Sequence, residues 1–151
     1  MSTNANADAK GSQRKIGLIA LHDARLGSFT VHSGGNGVLS FNHICVFVEK
    51  SFELYDDWSY RADLLLQGIE QLSLDRIFES SDHVYDGCII GNDGRNIELA
   101  SALEWTPADK IELIFFSSAK LSLKVSHVQL SLIAPLEKLE EWIGPLNKSG
   151  T

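Results

Sequence analysis

His22-Asp23 is the first pair of side chains in this sequence whose types could do chemistry together. Adjacent His and Asp residues bind metal in helical phosphohydrolases, but those enzymes draw further ligands from an all-helical chain. No such architecture is written here. An Asp that follows a strand also closes a turn by accepting backbone N–H bonds, and that structural role is the expectation for Asp23. His43 falls on the apolar face of an expected strand, where a metal would need at least three converging donors. A buried, hydrogen-bonded imidazole is expected instead. His32 and His127 have no carboxylate or cysteine at ligand spacing. His83 stands between Asp82 and Asp86 and is expected to face solvent. No metal site and no cofactor are expected.

Nucleophilic catalysis needs a Ser or Cys held by a base that is itself held by a third group. No Gly-x-Ser-x-Gly elbow occurs. Cys45 and Cys88 sit in apolar runs, which raise a thiol pKa and make it inert. Ser33-Gly34-Gly35-Asn36-Gly37 lacks the Lys-Ser/Thr of a phosphate loop and reads as a hairpin turn. No catalytic residue is assigned. Trp58, Tyr60 and Trp105 could stack on a carbohydrate. Trp58 and Tyr60, however, share the parity of Ala62, Leu64 and Leu66, which favours core packing.

Charge offers a different reading. The net charge is −7, and residues 49–112 hold 15 acidic against 5 basic side chains. Nucleic-acid binding is disfavoured, because neutralising phosphates needs clustered Lys and Arg. Asp56-Asp57, next to Trp58 and close to Glu53, sets charge beside a large aromatic at a strand entrance. Interfaces have that composition, with anchors at the centre and charge at the rim. A solvated acidic loop is the plainer reading. The residues assigned to partner binding are Asp56, Asp57, Trp58, Glu79, Asp82 and Asp86, and the partner they suit is a basic protein.

The elements that must position these groups are strands. Lys15–Leu21 is apolar and ends in His22-Asp23-Ala24, and Leu26–Val31 reads as a second strand. Val38–Lys50 reads as one long strand. Trp58, Tyr60, Ala62, Leu64 and Leu66 alternate with more polar residues, the period of a half-buried strand. Gly68, where the phase changes, suggests a bulge or bend, and Leu72 and Leu74 resume the alternation. Tyr85–Ile90, an Asn92-Asp93-Gly94 turn and Ile97-Glu98-Leu99 form an expected hairpin. Ile111, Leu113 and Phe115 precede Leu121, Leu123 and Val125. An extra residue near Ser126-His127 would bring Val128, Leu130 and Leu132 onto the same face. Pro135–Ile143 places Leu136, Leu139 and Trp142-Ile143 on one helical face, with Gly144-Pro145 as the stop. The expected class is mainly β: an antiparallel sandwich or half-barrel with a short C-terminal helix.

The chain has 151 residues, enough for one domain with a full core. Residues 1–13 read as a disordered leader, 14–146 as the domain, and 147–151 as a flexible tail. No signal pattern opens the chain, and no apolar run is long enough for a membrane helix. With two cysteines and no disulfide framework, a cytoplasmic setting is expected. Exposed sheet edges leave a homodimer open.

Three short runs carry a likeness: Leu21-His22-Asp23-Ala24, Trp58-Ser59-Tyr60-Arg61-Ala62-Asp63-Leu64 and Glu141-Trp142-Ile143-Gly144-Pro145-Leu146. In this order they resemble a group of small bacterial proteins of uncharacterised or immunity-protein type. The resemblance implies a β-sandwich or half-barrel that has no catalytic role and binds a toxin domain. It transfers no site residues. The expected function is thus non-enzymatic protein binding, as by an immunity protein that neutralises a basic toxin. The alternatives are a small-molecule or carbohydrate-binding β domain with a pocket lined by Trp58, Tyr60 and His43, and a metal-dependent enzyme using His22 and Asp23.

Overall fold

Alternating apolar side chains dominate the sequence, and the chain folds accordingly into antiparallel strands. The computed structural model describes residues 15–76 and 82–143, with no side-chain detail for 140–143. The strands are β1 (Ile16–Val31), β2 (Gly37–Ser51), β3 (Leu54–Gln67), β4 (Gln71–Asp75), β5 (Asp82–Ile90), β6 (Thr106–Pro107), β7 (Lys110–Phe115), β8 (Lys120–Lys124) and β9 (His127–Ile143). They form one open antiparallel sheet in the order β4-β8-β7-β5-β1-β2-β3-β9-β6. The expected leader and tail lie outside the described residues, as does Glu79.

Short connectors force this sheet to roll. Three residues, 68–70, join β3 to β4, which stand six places apart in the order. Such a link reaches about 14 Å, whereas six strand spacings on a flat sheet cover about 29 Å. Residues 125–126 join β8 to β9, and 108–109 join β6 to β7, across the same six places. These three links lie side by side. The Ser126 N–H donates to the Gln67 carbonyl (2.9 Å), Ala108 N–H to Ser126 (2.9 Å), Val125 N–H to Asp109 (3.1 Å) and Glu70 N–H to Lys124 (2.9 Å). Strands that turn a corner in this way carry the ladder from one half of the sheet to the other. Gly68 makes the first corner at φ +70°, and a Cβ there would come within 2.9 Å of Ser126 Cβ. The inner faces meet in one apolar core, with Leu39, Ile44, Leu64 and Leu66 from one half and Ile111, Leu113, Leu121 and Leu123 from the other.

The structure changes several sequence expectations. Residues 135–143 form no helix; they continue β9, paired with β3 from Leu54↔Ile143 to Gln67↔His127. Nine residues cannot sustain an isolated helix, while β3 offers them a long edge. The helical look has a specific cause. Register shifts between Asp57/Trp58, Ser59/Tyr60 and Arg61/Ala62 leave Leu139, Leu136 and Ile133 unpaired, one at each bulge. Bulges every third residue mimic a helical repeat, and these three side chains are exposed. Pro135 is tolerated next to one of these irregularities.

Ile97-Glu98-Leu99 is likewise no return strand. An isolated bridge, Ile90↔Asn96, closes the Asn92-Asp93-Gly94 turn, and a 3-10 turn follows at Leu99–Ala102. His22-Asp23-Ala24 does not end β1. The strand passes through as a wide bulge, with Ala20 opposite Cys45 and Arg25 opposite His43. In β2 a shift between Phe41 and Ile44 exchanges the faces. Leu39 and Phe41 point inward before it, and Ile44, Val46 and Val48 after it. That shift moves His43 and Cys45 to the outer face. No helix among the described residues is long and apolar enough to cross a membrane.

Candidate functional site

Three irregularities converge where β1 meets β5, and they expose a cluster of four rings, His22, His83, Tyr85 and Phe116. The first is the β1 bulge, with Asp23 at φ 69°. Its His22 Nδ1 lies 2.7 Å from the Tyr85 carbonyl, which fixes the ring beside β5. The second is in β5, where Val84 faces Phe115 and Asp86 faces Ile114. Tyr85 is therefore the extra residue of a bulge and is pushed outward. The third is the β7–β8 turn. Phe115 is buried, and Phe116, the next residue, is turned out, with its N–H donating to the His83 carbonyl (2.9 Å).

Phe116 is the hub of the cluster. Its centroid is 5.1 Å from Tyr85, 6.2 Å from His83 and 6.4 Å from His22. Tyr85 and Phe116 remain 55% and 56% exposed. Large aromatic rings are costly to leave in water, so an outward pair held by two bulges and a turn needs a reason. Charges rim the rings. Asp23 lies 3.7 Å from His22 Nε2. Asp82 accepts a 2.5 Å hydrogen bond from Ser117. Asp86 is exposed next to Tyr85. The Arg25 Nε–H donates to His83 Nε2 at 2.9 Å.

The residues assigned to partner binding separate in space. Asp82 and Asp86 border the ring cluster. Asp56 and Asp57, 3% and 8% exposed, are buried in β3 and present no charged surface; Lys138 Nζ approaches Asp56 at 3.5 Å. Trp58 packs against the core. The sequence pointed to none of His22, Tyr85 or Phe116 as interface residues, because adjacent positions in a strand cannot reveal which side chain a bulge will expel.

The polar group nearest to an enzyme constellation lies on the outer face of β2 and β3. His43 Nδ1 is 2.6 Å from Ser59 Oγ, and Cys45 Sγ is 3.6 Å from His43 Nε2. A thiol, a base and an orienting hydroxyl have the composition of a nucleophile site. The electrostatics oppose it. Burial, then the Asp57 and Asp23 charges, push the Cys45 thiol up to about 12. Burial, then Arg25 and His83, hold His43 below its ordinary value, partly offset by Asp23 and Glu137. A thiol of that kind stays protonated at neutral pH and is a poor nucleophile. Burial raises Cys88 as well.

The pocket expected from Trp58, Tyr60 and His43 does not form. Trp58 and Tyr60 stand opposite Val46 and Ile44 on the inner face, whereas His43 is on the outer one with Ser59. An open groove of about 560 Å³ runs over β4, β8 and β7, and its charges are already paired, Lys124 with Asp109 and Lys110 with Glu112. Among the described residues no group of three or more His, Cys, Asp or Glu side chains is placed to hold a metal ion. No family model, curated protein or solved structure matches the chain.

Proposed function

We propose that this chain is a non-enzymatic protein-binding domain, a half-barrel that presents Tyr85 and Phe116 to a basic partner. The observation that supports this reading most is the exposed Tyr85–Phe116 pair, held outward and bordered by Asp23, Asp82 and Asp86. Aromatic anchors inside a charged rim are the usual composition of an interface centre. The net charge of −7 favours a basic protein, because opposite potentials speed encounter and fix orientation. With the resemblance to immunity-type proteins, the partner class is a basic toxin domain met in the cytoplasm.

The test is affinity capture from the source cells, with partners identified by mass spectrometry. The wild-type chain is expected to retain a basic protein in low salt and to lose it as salt rises. A Tyr85→Ala/Phe116→Ala chain is expected to retain it at least about thirtyfold less well, the loss of roughly 2 kcal/mol typical of an anchor. Equal capture by both chains would remove this surface from the interface.

A further inference from the structure

A second surface, separate from the ring cluster, has a sequence that complements itself. β4 is an end of the sheet, and among the described residues it pairs only with β8. All five of its residues are exposed, including Leu72 (53%) and Leu74 (42%). These two leucines stand opposite Leu123 and Leu121, both buried in the core. They therefore extend the inner apolar face past the point where the sheet covers it.

Natural sheets guard their edges with lysine, proline or bulges. Two other edges among the described residues are guarded. β6 ends in Pro107, and the length of β9 is broken by the bulges at Ile133, Leu136 and Leu139. β4 has no lysine, no proline and no register shift against β8.

We propose that β4 pairs with β4 of a second copy of this chain, antiparallel about a twofold axis at Ser73. In that register Ser73 faces Ser73, Leu72 faces Leu74 and Gln71 faces Asp75. Glu70 and Arg76 flank the strand, Arg76 at φ 77°, so opposite charges come together just beyond each end of the ladder and leucines meet within it. A twofold contact requires this kind of self-complementarity. A one-residue slip would face Leu72 with Ser73 and turn the leucines to opposite faces. The contact is short, so the dimer is weak and forms at high protein concentration.

Sedimentation equilibrium on the full chain tests this. The average mass is expected to rise toward that of two chains as concentration approaches about 1 mM. Glu70→Arg and Arg76→Glu are each expected to weaken association roughly tenfold, because like charges then come together. The double exchange Glu70→Arg/Arg76→Glu is expected to restore it. Both positions are exposed, and unchanged thermal melts will show that folding is intact. Ser73→Cys is expected to form an intermolecular disulfide under mild oxidation, since facing Cα atoms in a ladder are about 4.5–5.5 Å apart. Gln71→Cys, which would face Asp75, is expected to form it far more slowly. A chain that stays monomeric at about 1 mM overturns the proposal. So do single exchanges without effect, or equal cross-linking at positions 71 and 73.

Discussion

Tyr85 and Phe116 meet edge to face, at 81° between ring planes, and both residues are more than half exposed. Tyr85 is expelled from β5 by a bulge, and Phe116 stands in the turn that follows β7. Edge-to-face pairs contribute about 0.5–1.5 kcal/mol beyond burial. A double-mutant cycle of Tyr85→Ala and Phe116→Ala, read by urea unfolding, should give a coupling energy near the lower end of that range, about 0.5 kcal/mol. Additive losses would mean that the rings do not hold one another in solution.

The bulged course of β9 makes a stability prediction that a helix would not. Leu136 is exposed at a bulge, so Leu136→Ser should change stability by less than about 0.5 kcal/mol. Leu113, fully buried in β7, should lose about 2–5 kcal/mol on change to Ala. If Leu136→Ser proved as damaging as a core truncation, residues 135–143 would be docked as an amphipathic helix.

Cys45 should be inert. With its thiol pushed up to about 12, Cys45 holds little thiolate at pH 8. Alkylation of the folded chain by iodoacetamide should be at least roughly a hundredfold slower at Cys45 than in the urea-unfolded chain. Equal rates would reveal an activated thiol and reopen the Cys45–His43–Ser59 group as a nucleophile site.

His43 gives the fold an acid-sensitive element. Its pKa is lowered in the folded chain, first by burial and then by Arg25 and His83, while Asp23 and Glu137 act the other way. The unfolded chain therefore binds the proton more readily as pH falls below 6.5. Stability from this group is present above that value and is lost as pH falls through the folded pKa. Urea midpoints between pH 7 and pH 5 should fall less steeply for His43→Asn than for the wild type. Identical slopes would place the acid sensitivity elsewhere.

Most of the scaffold was legible because strands with one buried face repeat every second residue. Trp58 to Leu66 kept that parity throughout, and Gly68 marked the corner where the chain leaves β3. The shift at Ser126 was readable too, since Val125 and Val128 both had to face the core. Legibility failed wherever a bulge broke the period. Leu136 and Leu139 looked helical because bulges recur three residues apart, and His43 changed faces through the shift after Phe41. The candidate site is built from such breaks, so its rings could not be picked out in advance. Of the acidic residues assigned to partner binding, Asp82 and Asp86 border the rings while Asp56 and Asp57 are buried in β3, a difference that charge alone does not reveal.

Site-specific photo-cross-linking decides most directly which surface meets the partner. A benzophenone amino acid placed at Phe116 should cross-link the captured basic protein, and the same group at Leu136, an apolar position that is half exposed, should not. Cross-links from position 136 with none from position 116 would contradict the assignment of the Tyr85–Phe116 surface.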